Sequence, residues 1–105
     1  MNKTSITWLK NISKSGLSKE EGTSVIDMFR NDWKFKDWDG VANVYIDYQT
    51  DKACFVKVSG VYCPLAEDSF TLHCWCPSKF VRQCRDGSDF TIPMWFFENK
   101  IKELF

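Results

Sequence analysis

Alternation between apolar and other residues along the middle of the chain is the feature that most restricts its fold. In residues 41–48, VANVYIDY, apolar side chains return at every second position, with Val44, Ile46 and Tyr48 on one side. Successive side chains of a strand point to opposite faces of a sheet, so this spacing is typical of a half-buried β-strand. The sequence QTDK has the composition of a turn, and residues 53–58 then return as a second strand. These segments predict an antiparallel hairpin, followed by a second turn at Ser-Gly.

A third strand is predicted in SFTLHCW, residues 69–75. The alternation divides its side chains between two faces, with Phe70, Leu72, Cys74 and Cys76 on one side and Thr71, His73 and Trp75 on the other. The first set is the more apolar, so we expect it to be buried. Trp75 should then be at least partly exposed, together with His73.

Two helices are predicted before the sheet. The first covers residues 4–15, with Trp8, Leu9 and Ile12 on one face and Gly16 where a helix would stop. The second begins at SKEE, a capping-box pattern in which a serine hydroxyl and a glutamate carboxylate each accept a hydrogen bond from a free backbone N–H. It continues to about residue 30 and carries three apolar residues on one face, namely Val25, Ile26 and Phe29.

The end of the chain predicts a short strand and a closing helix. RDGS, residues 85–88, is a strong turn signal, and DFTI follows as a fourth strand. Pro93 suits the start of a helix, because its fixed φ angle is helical and its missing N–H would be unpaired there anyway. Phe97 and Ile101 then recur at helical spacing, followed by Leu104 and Phe105.

The sequence therefore predicts an α+β fold with two N-terminal helices, a small antiparallel sheet of about four strands and a C-terminal helix. The length of 105 residues fits one domain. We expect residues 1–105 to form a single compact unit, with a helical part at 1–31 and the sheet and closing helix at 41–105.

Charge and cysteine content indicate the compartment and restrict the class of partner. The chain has 14 basic and 14 acidic residues, whereas a protein that binds duplex DNA normally carries a basic excess. The first residues contain no apolar signal segment, and no stretch has the length of a membrane span. Five cysteines without an export signal indicate reduced thiols. We expect a cytoplasmic protein that does not bind membranes.

The segment around the single histidine contains residue types that serve in metal binding and in thiol catalysis. No two cysteines have the C-x2-C spacing that aims both thiolates at one zinc ion. His73 and Cys74 are neighbours on a strand, so their side chains face apart and cannot form a catalytic dyad. Glycines occur singly, without a phosphate-binding loop. We therefore expect no catalytic residue, no metal and no cofactor.

Three short motifs in the second half resemble small proteins encoded by bacteriophages and prophages. The matching residues are Lys52, Ala53, Trp75, Pro77, Ile92, Pro93, Trp95 and Phe96. Those proteins have a Lys-Ala strand, a W-x-P-K-S element and an I-P-x-W-[LF] start to a closing helix. This chain departs from the pattern in reading Ser78-Lys79 in place of Lys-Ser. The resemblance covers about half of the chain. It implies an accessory protein of a phage or mobile element and supplies no catalytic residue.

These observations favour a small non-enzymatic protein that binds another protein, because tryptophan and arginine are frequent anchors of protein interfaces. We expect it to bind a host or anti-phage defence protein stoichiometrically, as an inhibitor or modulator. The alternative is a single-stranded nucleic-acid-binding protein, since bases stack on exposed aromatic rings beside cations, and DWKFKDW also interleaves rings with lysines. The oligomeric state is left open. The candidate partner-binding residues are His73, Trp75, Lys79, Arg82, Arg85 and Trp38.

Overall fold

The computed structural model describes residues 4–10, 16–31, 36–37, 40–83 and 90–105, with the backbone alone for residues 36, 37 and 42. Within these residues it contains seven strands, two α-helices and one 3₁₀ turn. Their bounds in chain order are β1 Ser5–Trp8, α1 Lys19–Asn31, β2 Lys36–Asp37, β3 Gly40–Gln49, β4 Ala53–Cys63, β5 Asp68–Pro77, the 3₁₀ turn Ser78–Phe80, β6 Arg82–Gln83, β7 Phe90–Pro93 and α2 Met94–Lys102.

All seven strands belong to one antiparallel sheet, in the order β1-β5-β4-β3-β7-β6, and β2 pairs with the beginning of β3. The sheet is curled into a half-barrel. The expectation of two N-terminal helices before a sheet of about four strands is therefore wrong. One helix precedes most of the sheet, and the sheet is nearly twice as wide as predicted.

The predicted first helix is the main error. Residues 5–8 form β1, which pairs with β5 so that Ile6 lies opposite Leu72 and Trp8 lies opposite Phe70. Ile6 and Trp8 are buried, whereas Ser5 and Thr7 are exposed, a period of two residues rather than 3.6. Leu9, assigned to the helical face, is exposed. A place on the sheet buries Trp8 more fully than an isolated turn of helix can, and this pairing outweighs the local helical spacing. Residues 11–15 lie outside the described residues.

The second predicted helix is confirmed as α1, including its capping box. The Ser18 backbone N–H donates to Glu21 Oε1 at 2.8 Å, and the Glu21 N–H donates to Ser18 Oγ at 3.1 Å. These two bonds satisfy donors that have no partner within the helix. As predicted, Val25, Ile26 and Phe29 are buried against the sheet.

The hairpin of β3 and β4 is confirmed, but β4 does not stop at Ser59-Gly60 as predicted. It continues to Cys63 through an irregularity between Val58 and Val61. Gly60 lies there with a φ of 70°, a left-handed conformation that glycine adopts without a steric penalty. The Ser-Gly pair therefore marks a β-bulge within a long strand instead of a turn between two strands.

The closing helix is confirmed, but it begins at Met94, one residue later than predicted, with Pro93 as its extended N-cap residue. Phe97 and Ile101 are fully buried beneath the sheet, and the Phe97 ring lies 4.7 Å from that of Phe29 on α1. Complete burial of a side chain such as Phe97 contributes about 1.5–3 kcal/mol to stability. Both helices therefore cover the same face of the sheet, and that face supplies the core with Val44, Cys54, Val56, Val58, Phe70, Leu72, Cys74, Cys76 and Ile92.

The curl of the sheet follows from its connections. β5 ends at Pro77 and β6 begins at Arg82, although β4, β3 and β7 lie between them. With neighbouring strands about 4.8 Å apart, a flat sheet would separate β5 from β6 by about 19 Å. Five extended residue steps span at most about 18 Å, and this connection includes a compact 3₁₀ turn. Phe80 and Val81 of the connection pack against the core, so the buried face is on the inside of the curl.

Candidate functional site

The face of β5 that was predicted to be outside is outside. Phe70, Leu72, Cys74 and Cys76 are buried, whereas Thr71, His73 and Trp75 are half-buried. Because both helices lie on the inner face, His73 and Trp75 project from the other face of the sheet. The predicted orientation of this strand is thus confirmed.

Four aromatic side chains from three neighbouring strands meet on this outer side. Phe55 on β4 lies directly opposite Trp75, and their ring centroids are 5.3 Å apart. Tyr48 on β3 meets Trp75 edge to face at 6.0 Å. His73 is stacked on Phe55 at 6.3 Å, with 18° between the ring planes. We call Tyr48, Phe55, His73 and Trp75 the outer aromatic face.

Tyr48 reaches this face because of a bulge that the sequence did not reveal. Ile46 pairs with Val56 and Tyr48 pairs with Phe55, so Asp47 is an additional residue in β3. Uninterrupted alternation would have placed Tyr48 on the same side as Ile46, as we predicted. The extra residue turns Tyr48 outward instead, and its side chain is 62% exposed.

The charged groups near the outer aromatic face are balanced. Lys57 lies opposite His73 in the sheet, and its Nζ is 3.9 Å from Asp47 Oδ1. The same ammonium lies 6.0 Å from the centre of the Tyr45 ring. Exposed pairs of this kind contribute little to stability, at most about 1 kcal/mol. Their effect here is to leave an aromatic surface with little net charge.

His73 contacts groups that do not include a thiol. Its Nε2 lies 3.5 Å from Thr7 Oγ1 on β1, and its ring covers Phe55. The four cysteines that the structure describes are all buried, so they lie away from this outer histidine. Burial raises the pKa of the Cys74 and Cys76 thiols to about 12, which leaves very little reactive thiolate near neutral pH. Among the described cysteines and His73, the arrangement does not form a thiol–imidazole pair.

Within the described ranges, no group of three or more His, Cys, Asp or Glu side chains could hold a metal ion. Cys84 lies outside those ranges. In the same part of the chain, neither helix has the length and apolar content needed to cross a membrane.

The predicted site residues that the structure describes lie on three elements, with His73 and Trp75 on β5. Lys79 lies in the 3₁₀ turn, with its Nζ 5.3 Å from the centre of the Phe80 ring. Arg82 is exposed on β6, which three strands separate from β5 in the sheet order. Arg85 and Trp38 lie outside the described residues.

Tyr48 and Phe55 are the residues of this surface that the sequence analysis missed. The outward position of Phe55 could have been predicted, because alternation along β4 places Phe55 and Lys57 on one face of the strand and Val56 on the other. The position of Tyr48 depends on the bulge, for which the sequence gives no separate signal.

Comparison of the chain with protein-family models, with curated proteins and with solved structures found no match.

Proposed function

We propose that this protein has no catalytic activity and acts by binding another protein through the outer aromatic face. The observation that carries the proposal is the asymmetry of the sheet. Both helices cover the inner face, while Tyr48, Phe55, His73 and Trp75 form a contiguous group on the other. Clustered rings on a surface mark contact sites more often than scattered apolar residues do.

The chemistry of the face favours a protein partner. Tyrosine and tryptophan are enriched among the residues that contribute most to protein interfaces, and the centres of such interfaces are depleted in charge. Lys57 is already paired with Asp47, so the face presents rings more than cations. The rings also contact one another, which reduces the side-chain freedom that would be lost on binding.

A resemblance to phage and prophage proteins supports the biological context of this proposal. It covers residues 52–53, 75–77 and 92–96. We infer an accessory protein that acts in the host cytoplasm and binds a host or anti-phage defence protein stoichiometrically, as an inhibitor or modulator. Buried thiols are consistent with a reducing compartment.

Binding of single-stranded nucleic acid is the second candidate. Aromatic side chains on neighbouring strands of an open sheet are the platform on which several RNA- and DNA-binding folds stack bases. Against it stands the balance of 14 basic and 14 acidic residues, because phosphate neutralisation supplies much of the affinity of such proteins.

Affinity capture from host lysate, with and without nuclease, tests both candidates. Trp75→Ala removes the centre of the outer aromatic face. Leu65→Ala is the matched control, since Leu65 is 60% exposed in the turn between β4 and β5. A protein partner should survive nuclease, bind the Leu65→Ala variant and be lost with Trp75→Ala. Capture that disappears with nuclease would favour the nucleic-acid candidate, and capture unaffected by Trp75→Ala would contradict this choice of surface.

A further inference from the structure

The outer aromatic face lies on strands whose backbone groups are already paired. Tyr48, Phe55 and Trp75 belong to β3, β4 and β5, and each of these strands has a neighbour on both sides in the sheet. The strands at the two ends of the sheet order, where a further strand could add by backbone hydrogen bonding, are β1 and β6. A peptide bound at the outer aromatic face must therefore be held by side chains, and not by strand addition.

Tyr48, Phe55 and Trp75 form one row across these three strands. Phe55 pairs with Tyr48 on one side and with Trp75 on the other. The planes of Tyr48 and Trp75 are 90° apart, and those of Phe55 and Trp75 are 55° apart. Rings in contact at such angles leave narrow notches between their faces, whereas an amphipathic helix needs a broad apolar groove. Notches of this kind fit a compact and rigid side chain such as the ring of proline.

The same row offers hydrogen-bond donors to a ligand. An indole N–H can only donate, and a phenol hydroxyl can donate. Within the described ranges, neither the Trp75 Nε1–H nor the Tyr48 hydroxyl has a hydrogen-bond partner. A proline-rich segment in the polyproline II conformation is complementary to such donors, because its carbonyls are free and proline has no N–H.

The charges at this face do not favour an ionic ligand. Lys57 Nζ lies 3.9 Å from Asp47 Oδ1, so the cation beside the rings already has an anionic neighbour. Acidic and phosphorylated peptides are usually recognised by clusters of arginine, and β3, β4 and β5 contain no arginine. An uncharged segment is therefore the better match.

We propose that the outer aromatic face binds a proline-rich segment of the partner protein in the polyproline II conformation. This inference rests on the proposed function, since it names the kind of segment that the same surface takes. Proline rings pack in the notches beside Trp75, and carbonyls of the segment accept hydrogen bonds from Trp75 Nε1–H and the Tyr48 hydroxyl. Because polyproline II is formed before binding, the segment loses little conformational freedom in the complex.

A random dodecapeptide library displayed on yeast tests the class of segment. It is selected against the folded full-length protein, with counter-selection against the Trp75→Ala variant. We expect strong enrichment of proline in the selected peptides. Trp75-dependent peptides without proline enrichment, or the absence of any Trp75-dependent peptide, would overturn this inference. The proposed function is tested separately, because it fails only if capture of a protein partner from lysate is unaffected by Trp75→Ala.

Fluorescence anisotropy of one selected, labelled peptide then tests the contacts. Trp75→Ala should weaken binding about tenfold or more. Trp75→Phe and Tyr48→Phe keep a ring and remove only the donor, so each should weaken binding several-fold. Tyr62→Phe is the matched control and should leave the affinity unchanged, since Tyr62 is 39% exposed but pairs with Ser69 beyond the bulge at Gly60. Equal affinity of Trp75→Ala and the unsubstituted protein would overturn the inference, and circular dichroism confirms that each variant is folded.

Discussion

Tyr48 and Trp75 meet edge to face at 6.0 Å although β4 lies between their strands. The contact exists because Asp47 is an extra residue in β3 and turns Tyr48 outward. Phe55 lies on β4 between them, and the centre of its ring is 5.3 Å from that of Trp75. The outer aromatic face is therefore a group of side chains in mutual contact.

The first prediction concerns the energy of that contact. In a double-mutant cycle of Tyr48→Ala and Trp75→Ala, we expect a coupling energy of about 0.5–1.5 kcal/mol, the range measured for aromatic pairs. Urea unfolding of the four proteins measures it. A coupling energy near zero would mean that Tyr48 does not contact Trp75 in solution.

The second prediction tests the closing helix. Ile101 is fully buried, so Ile101→Ala should lower the free energy of unfolding by about 2–5 kcal/mol, through lost burial and the cavity left behind. Lys102→Ala, on the exposed side of the same helix, should change it by less than about 0.5 kcal/mol. Equal effects of the two substitutions in urea unfolding would contradict the orientation of α2.

The third prediction is a dependence of stability on pH. Arg30 donates two hydrogen bonds of 2.7 Å to the Glu98 carboxylate, and these bonds lower the pKa of Glu98 below its ordinary value of 4.5. A carboxyl group whose pKa is lower in the folded state than in the unfolded state stabilises the fold at pH values above its unfolded-state pKa. This stabilisation is lost as the pH falls through the folded-state pKa. Glu98→Gln should therefore lower the urea midpoint at pH 7. Below pH 4.5, the stability of this variant should fall less steeply with decreasing pH than that of the unsubstituted protein. Glu67→Gln, at an exposed turn, is the control and should leave both features unchanged.

The fourth prediction concerns Gly22 and Phe105. A Cβ atom at Gly22 would collide with the Phe105 ring, which lies directly against α1 at this position. In a Phe105→Ala background, Gly22→Ala should stabilise the protein by up to about 1 kcal/mol, the difference in helix propensity. With Phe105 present, the gain should be smaller or become a loss, because the ring must move away. Thermal unfolding of the four proteins measures the difference, and an equal gain in both backgrounds would show that Phe105 does not pack there.

The fifth prediction concerns thiol reactivity. Burial raises the pKa of Cys74 and Cys76 to about 12, so iodoacetamide should not label either residue in the folded protein between pH 7 and pH 9. After unfolding without reductant, all five cysteines should be labelled, since we expect reduced thiols. Peptide mapping by mass spectrometry locates the labels. Rapid labelling of Cys74 in the native state, or a native disulfide, would contradict the prediction.

Local signals in the sequence were sufficient for several elements. The capping box located α1, and Pro93 located α2, because both depend on hydrogen bonds or φ angles within a few residues. Strict alternation identified β5 and placed Trp75 outside correctly. These features depend on chemistry that is close in sequence.

The errors arose where distant contacts decide the conformation. Ile6 and Trp8 lie in a strand because they pair with Leu72 and Phe70, which are more than sixty residues away in the sequence. The bulges at Asp47 and Gly60 alter the alternation of β3 and β4. From the local sequence alone, the bulge at Asp47 looks like a regular strand and the one at Gly60 looks like a turn. The same reasons explain why Tyr48 was missed.

The pairing of β1 with β5 also determines when the protein can fold. Ser5 pairs with His73, Thr4 Oγ1 donates to Glu103 Oε1, and the Leu17 N–H donates to the Leu104 carbonyl. During synthesis, Thr4, β1 and Leu17 must therefore wait for partners that are translated more than sixty residues later. Contacts so distant in sequence are slow to form. The native state can be completed only after residue 104 has left the ribosome, and until then the apolar residues of β1 are exposed to chaperones and to other nascent chains.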